Sequence, residues 1–396
     1  MNALTWLEPL STSVLEIDIC GWERLRRLDE DLSALTGGAP SPLDQPARSR
    51  WLLGVRADLA RRGHHAPPGP AGPLWQILAQ FLAGYRDLDL RDSIGPGHGA
   101  MILTGGTPRT ARHWQHRLHT GDLVGVAATE RHGGSRIQEI TTRARPHRAG
   151  RWYLSGEKCW VSRLAEASAF VVFFRDPDER VSAALIDATD PRLEREVIEP
   201  FGLRGWTWGI LRLHAVPVDP ANALIGQPGD GLAVFARHFA RFRPQVTATA
   251  LGSAAGIHTL TVQDLAARTA SGALPRVRDH ALTALGRTHA EITAHLLAAL
   301  TATRLATAGH PNTDLTSRVG KAAGVDAAYR AVTDLAPLLG AAGYQQDHPA
   351  AKARADLTGL LYADGIHDSL YRSGGKHLLT AAGMARPVRR VLDPAA

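Results

Sequence analysis

The stretch that decides the fold runs over residues 127–162, opening AATERHGGSR (residues 127–136) and closing GEKCWVS (residues 156–162). The opening reads as a strand that stops in the Gly133-Gly134 turn. A Gly-rich turn exposes backbone N–H groups and lets a planar or anionic ligand come close. The closing heptad alternates in residue type and reads as a second strand with Trp160 and Ser162 on one face. An indole face and a hydroxyl beside such a turn can hold the face and edge of a flat ring. A surface hairpin with a buried tryptophan is the competing reading of the same residues, and spacing alone leaves both open.

On the N-terminal side, WERLRRLDEDL (residues 22–32) places apolar residues at 22, 25, 28 and 32, one face of a helix. Residues 48–62 and 75–85 behave alike. The Pro/Gly-rich segments 37–46 and 63–73 are expected loops, and His64 and His65 in the second are expected to be solvated. Residues 108–118 predict a further short helix, with Pro108 in its first turn and Gly121 beyond its end.

From residue 123 to about 225 the pattern changes to short β-rich runs, at 151–154, 169–174, 181–186 and 209–216. Turn residues bound them at 148–150, 176–178 and 219–220. Beyond residue 232 the chain is Ala-rich with apolar residues at helical spacing over 232–241, 246–268, 276–308 and 314–339. The breaks fall at 271–275, 309–311 and 340–343. The expected fold is α+β and mostly α. An N-terminal helical domain (1–122) leads into a small β-barrel or sandwich (123–228), then an antiparallel four-helix bundle (229–396).

The 396 residues are 44% hydrophobic and 21% charged, the composition of a soluble globular protein of two or three units. No apolar run approaches the roughly 18 residues of a membrane span, and no signal peptide opens the chain, so a cytoplasmic protein is expected. Cys20 and Cys159 exclude a disulfide framework, and Cys159 reads as a small buried residue. The formal charge of +7 favours an anionic partner. Scattered arginines, 6% aromatics and no recognisable binding motif argue against nucleic acid. A phosphate-bearing small molecule or an acidic carrier protein suits the balance better. The 18 histidines show no metal-ligand spacing, so no metal is expected.

Thr129-Glu130-x-x-x-Gly134-Ser135, followed by Gly156-x-Lys158-x-Trp160-x-Ser162, resembles the two flavin-domain signatures of the acyl-CoA dehydrogenase family, T-E-P-x-x-G-S-D and G-x-K-x-W-I-[TS]. Further matches surround them: residues 106–114 before the β-domain, and 202–205, 216–222 and 226–231 at its exit. The resemblance implies FAD, held by Ala128, Thr129, Gly134, Ser135, Trp160 and Ser162 around the ring and pyrophosphate, with Arg268 on the ADP side. It implies an acyl-CoA or acyl-carrier-protein thioester substrate near Ser135, Arg243 and Gly365. It also implies a homodimer or homotetramer that passes electrons to an acceptor protein or to O2.

The resemblance further implies a carboxylate that removes the proton α to the thioester carbonyl while the flavin accepts the β hydride. The family motif G-G-x-G-Y-x-x-E-Y-P-x-x-K-x-x-R-D aligns without a gap on residues 340–356, and the base position eight residues after Asp356 is Asp364. Asp-Gly is also a common turn dipeptide. In some relatives the base lies just before the arginine matched by Arg243, and that position is Phe242 here. Several family contacts are replaced: Ala240 stands for an Asp, Arg136 for an acidic residue, Asp279 for a Gln and Ile366 for a Thr. These departures point to a specialised biosynthetic role. They also keep two alternatives in view, a flavin monooxygenase on the same fold and a flavin-free scaffold using Asp364 for acid–base chemistry or binding. Tyr344 and Tyr362 are expected in the core, and His132 is a possible lining residue.

Overall fold

The computed structural model describes residues 2–10, 17–65, 72–147 and 150–382. The turn expected at 148–150 therefore falls, but for Gly150, outside the described residues. The N-terminal unit holds α1 (Ala3–Leu7), α2 (Ile19–Thr36), α3 (Gln45–Arg61), α4 (Gly72–Arg86), α5 (Ala100–Gly105) and α6 (Pro108–His119). Their starts follow capping chemistry. The Asp18 carboxylate accepts the Gly21 N–H at 2.8 Å, and Asp44 accepts that of Ala47 with Pro46 in the first turn.

The sheet contains β1 (Val124–Ala127), β2 (Arg143–Pro146), β3 (Trp152–Ser162), β4 (Ala169–Arg175), β5 (Val181–Asp187), β6 (Leu193–Ile198) and β7 (Trp208–Val218). Its strand order is β1-β4-β2-β3-β7-β6, with β5 pairing on β4. One curled seven-stranded sheet forms the small central β-domain that was expected between the two helical units. Its inner residues, among them Leu154, Phe170, Val172 and Leu211, form a core of their own.

After α7 (Pro220–Ala223) the chain enters α8 (Gly231–Ala270), α9 (Asp279–Thr307), α10 (Thr313–Leu335), α11 (Pro349–Leu360) and α12 (His367–Ala381). The sequence divided α8 in two around Pro244, yet it runs unbroken for 40 residues. Pro244 has no N–H to give, but Phe242, Arg243, Pro244 and Val246 are all buried, and packing outweighs one missing hydrogen bond. α4 lies against α8 so closely that a Cβ at Gly84 would sit 2.0 Å from the Thr249 carbonyl oxygen. Consequently the N- and C-terminal helices share one hydrophobic core. No helix among the described residues is long and apolar enough to cross a membrane.

Two expectations for single residues fail. His64 and His65 are buried: His64 meets Asp31 at 2.7 Å, and the His65 nitrogens lie 3.0 and 2.9 Å from the carbonyls of Leu118 and Ser93. Partners distant in sequence draw the pair inward. Tyr344 and Tyr362, expected in the core, are exposed because each sits in a connection rather than on a packed helix face.

Candidate active site

The two signature stretches meet through a buried ion pair. Lys158 Nζ donates to Glu130 Oε1 at 2.8 Å, and the Glu130 carboxylate also accepts the N–H and hydroxyl of both Thr141 and Thr142 at 2.7–2.9 Å. Burial raises the Glu130 carboxyl, but Lys158 and these donors outweigh it and hold the group at about 2. Burial pushes Lys158 down to about 8 against the pull of Glu130. A backbone bond from Cys159 to the Thr129 carbonyl, 2.8 Å, completes the splice. Gly156 is required beside it, since its φ is +151° and a Cβ would lie 2.5 Å from Thr142 Oγ1. The Glu and Lys of the signatures are therefore the device that sets the loop against the strand.

Strict alternation along β3 does not survive. Lys158 pairs with Leu211 and Val161 with Gly209, so one extra residue forms a bulge. Trp160 sits there with φ +56° and is 55% exposed, whereas Ser162 is buried. The bulge re-aims the indole toward solvent, and the two residues do not share one flat face as expected. Gly134 lies against Thr129, where a Cβ would be 2.7 Å from Oγ1. Ala128 offers its carbonyl to Lys158 at 3.5 Å. The side chain of Ser135 lies outside the described residues.

Ser162 Oγ accepts from Arg163 Nη1 at 2.6 Å, and Arg163 is itself ion-paired with Asp92. Both are buried. The neighbouring His98 Nδ1 and His238 Nε2 lie 2.9 Å apart, and His238 stacks on Phe242 at 5.2 Å. Burial, then Arg243 and Arg163, pushes His238 down to about 3. Residues from the sheet and from the bundle thus act on the same imidazole.

On the bundle side, Asp364 occupies the turn between α11 and α12 with φ +58°, followed by Gly365 at +118°. Asp tolerates this left-handed region better than most residues. Lys321 Nζ, buried in α10, donates to the carbonyls of Leu360, Ala363 and Gly365 at 2.6, 2.7 and 3.0 Å. Arg243 Nε donates to the Asp364 carbonyl at 3.0 Å. Four carbonyls of the turn are held by two cations, and no hydrogen bond or ion pair among the described residues engages the Asp364 carboxylate. Burial, then Arg318, lowers Arg243 to about 10, against Asp314 and Asp364.

The remaining candidates lie in other settings. Arg268 gives Nη2 to the Leu338 carbonyl at 2.6 Å and pairs with Asp264 at 2.7 Å. His132 is exposed, its Nδ1 3.9 Å from Glu130, and exposed Arg136 faces Glu139 at 3.4 Å. Sequence reasoning missed Glu130, Lys158, Arg163, Asp92 and Lys321. The first two stood inside the quoted signatures, but a motif does not separate ligand contacts from scaffold. Lys321 left one trace, a lone lysine on an otherwise small-residue helix face.

A helical unit, a curled sheet with a glycine-turn signature, and a helical bundle carrying a carboxylate on a cation-held turn define an acyl-CoA dehydrogenase fold. The family model "Acyl-CoA dehydrogenase, middle domain" matches residues 125–216, and "Acyl-CoA dehydrogenase, C-terminal domain" matches residues 229–379. The chain belongs to the acyl-CoA dehydrogenase family, a family of FAD-dependent oxidoreductases. It is 26% identical over 244 residues to the probable acyl-CoA dehydrogenase FadE25 of Mycobacterium tuberculosis, 60% of this chain and 61% of that relative. The match thus spans less than two thirds of that relative's length. Among solved structures, a glutaryl-CoA dehydrogenase from Mycobacterium smegmatis in complex with FADH2 superposes with a TM-score of 0.79 at 20% identity, covering 96% of this chain and 99% of that one. The prolyl acyl carrier protein oxidase AnaB gives 0.73 at 20% identity, covering 90% and 98%.

Proposed function

We propose that the protein is a flavin-dependent dehydrogenase that oxidises the α–β bond of an acyl thioester, with Asp364 as the base. The observation that carries this reading is the Asp364 turn. Its backbone is fixed by Lys321 and Arg243 while its carboxylate is left unengaged, as a proton acceptor must be. The arginine takes the carbonyl and leaves the acid alone.

The ring side of the site fits FAD. Trp160 presents its indole from the bulge, and a Cβ built on Gly133 meets nothing within 4 Å, so that turn is open to a ligand. Ser162 accepts from Arg163 with its oxygen, which frees its own proton for a ring nitrogen or carbonyl. Thr129 and Gly134 would shape the turn beside the pyrophosphate, and FAD, when bound, supplies the hydride acceptor. Arg268 is engaged with Leu338 and Asp264 and offers little to the ADP half within one chain. Exposed Tyr344, Tyr362, Leu378 and Leu379 support self-association as a homodimer or homotetramer.

The thioester is carried by CoA or by an acyl carrier protein. Ala240 in place of a family Asp and the likeness to a carrier-protein oxidase both favour the second carrier and a biosynthetic role. The test is anaerobic mixing of the FAD-loaded protein with acyl thioesters while flavin absorbance is followed. Asp364→Asn is expected to slow bleaching by about 10²–10⁴-fold with an unchanged melting temperature. Bleaching that ignores this substitution would sink Asp364 as the base, and failure to bind any flavin would sink the redox reading altogether.

A further inference from the structure

A cavity opens between α5 and the first turns of α8. Ala100 and Thr104 line one wall, and Arg237, His238, Arg241 and Phe242 line the other. The four α8 residues fall at helical spacing and share one face. His238 and Phe242 are buried and form the floor, whereas Arg237 and Arg241 are exposed and form the rim. Phe242 directly precedes Arg243, whose Nε holds the Asp364 carbonyl. The floor therefore adjoins the turn that carries the candidate base.

The rim is unusually one-sided in charge. The chain has no Asp or Glu between Asp92 and Asp122, the span of α5 and α6, nor between Asp230 and Asp264 along α8. α6 packs on α5 through Met101, Ile102, Trp114 and Leu118, and it adds exposed Arg109 and Arg112. No hydrogen bond or ion pair among the described residues engages the side chain of Arg109, Arg112, Arg237 or Arg241. The bordering acids do not make up the difference. Asp122 is paired with Arg117, and Asp314 with Arg318 at 2.8 Å. Asp219 accepts from Asn222 Nδ2 at 2.7 Å, and Asp230 accepts the Gln227 N–H at 2.8 Å. Those last two carboxylates stand against four free guanidinium groups.

We propose that the rim of Arg237 and Arg241, with α6 beside it, docks an acidic carrier protein that presents the acyl thioester on its arm. The cavity is too small for a folded domain, so the body of the carrier rests on the rim and only the arm enters. Guanidinium forks suit surface carboxylates, and a field of one sign speeds the encounter with a partner of the other. The rim arginines thus select the carrier and take no part in proton or hydride transfer. This inference rests on the acyl-thioester reading, and its test separates the two.

The probes are one acyl group, butyryl, on an acidic acyl carrier protein, on CoA and on pantetheine, each mixed with the flavin-loaded protein. The carrier-borne thioester is expected to show a kcat/KM at least about tenfold above the pantetheine thioester at low salt. The advantage should shrink as ionic strength rises from about 0.02 to 0.3 M, because exposed charges are screened. Arg237→Glu with Arg241→Glu should lower the carrier-to-pantetheine ratio by at least about tenfold, and the two Lys substitutions should keep most of it. Calorimetric affinity for the phosphopantetheinylated carrier without an acyl group should fall by the same factor in the Glu variant. Equal kcat/KM for the carrier and pantetheine forms, or a carrier advantage that survives charge reversal, would overturn the docking surface. So would a CoA thioester that loses as much as the carrier, since the rim would then be a phosphate site. Asp364-dependent bleaching by the pantetheine thioester would, in those cases, leave the dehydrogenase reading standing. Bleaching by none of the three would overturn both.

Discussion

The two ends of α11 solve the same problem in opposite ways. At its N-terminal end Lys352 Nζ sits among three carboxylates, 2.7 Å from Asp87, 2.9 Å from Asp89 and 2.5 Å from Asp356, with Arg48 closing the group at 2.5 Å from Asp87 and 2.8 Å from Asp89. Every carboxylate there is in contact with a cation. Asp356 also accepts the Leu203 N–H at 2.6 Å, so the knot ties the N-terminal helices, the exit of the sheet and the bundle together. At the other end, Lys321 and Arg243 hold carbonyl oxygens and leave the Asp364 carboxylate unengaged. Two aspartates eight residues apart therefore have different duties: one locks domains, the other is kept available.

The contrast extends to protonation. Burial raises Asp89, but Lys352 and Arg48 outweigh it and hold that carboxyl at about 2. Burial pushes Asp356 up to about 6 against Lys352, with Asp89 and Asp87 adding to the rise. Three carboxylates face two cations, so one member must carry the surplus. The same three carboxylates have the spacing of a metal site, and the Lys352 ammonium already stands among them.

If the two ends are independent, substitutions should separate them. Lys352→Met leaves three carboxylates, two of them buried, short of a cation and should cost about 3–5 kcal/mol of stability by urea unfolding. Asp364→Asn should show the reverse, a large loss of flavin bleaching with no change in the unfolding midpoint. A Lys352→Met protein that unfolds like the wild type would break the comparison.

The positioning claim for the turn is sharpened by Lys321→Met, which removes the donor to three carbonyls but no candidate reacting group. Flavin reduction should fall by about 10–100-fold with the thioester dissociation constant little changed, since a small misplacement of a base is enough. Loss of binding in equal measure would instead make Lys321 a general structural support.

The smallest expected effect concerns acid. Glu130 and Asp89 both have folded-state values near 2, below their ordinary range, so the unfolded chain binds more protons than the folded one between about pH 4.5 and 2. Their stabilisation is complete above that window and is lost as pH falls through it. Glu130→Gln should cost about 1–2 kcal/mol above pH 5, and this difference should shrink toward pH 2. A difference that stays constant with pH in thermal melts would contradict the charge-based account of the Glu130–Lys158 splice.

How far the sequence was legible depends on what kind of signal each part carried. Period and punctuation marked the helical, sheet and helical thirds, because apolar spacing is a local property. Pro244 misled at one point, since a helix wall buried on several sides tolerates a residue that a solvated helix does not. Asp364 could be placed by counting from Asp356, and Arg243 by its match on α8. That one would grip the other's carbonyl, and that Lys321 would hold three more, depended on packing between α8, α10 and α11. Trp160 was seen as a ring-facing residue, but the bulge that turns it outward exists only because β3 must pair with β7 on both sides of an extra residue.

The sequence by itself determined the order of the three units, the signature turn and the identity of the acid after α11. Each is written in residues that are neighbours along the chain. Tertiary structure alone decided which charges are spent and which are free. Glu130 is spent on Lys158, Asp356 on Lys352 and Asp92 on Arg163, while the Asp364 carboxylate is left unpaired among the described residues. The physical reason is that the state of a charge is fixed by the partners and solvent around it in space, and those come from distant parts of the chain.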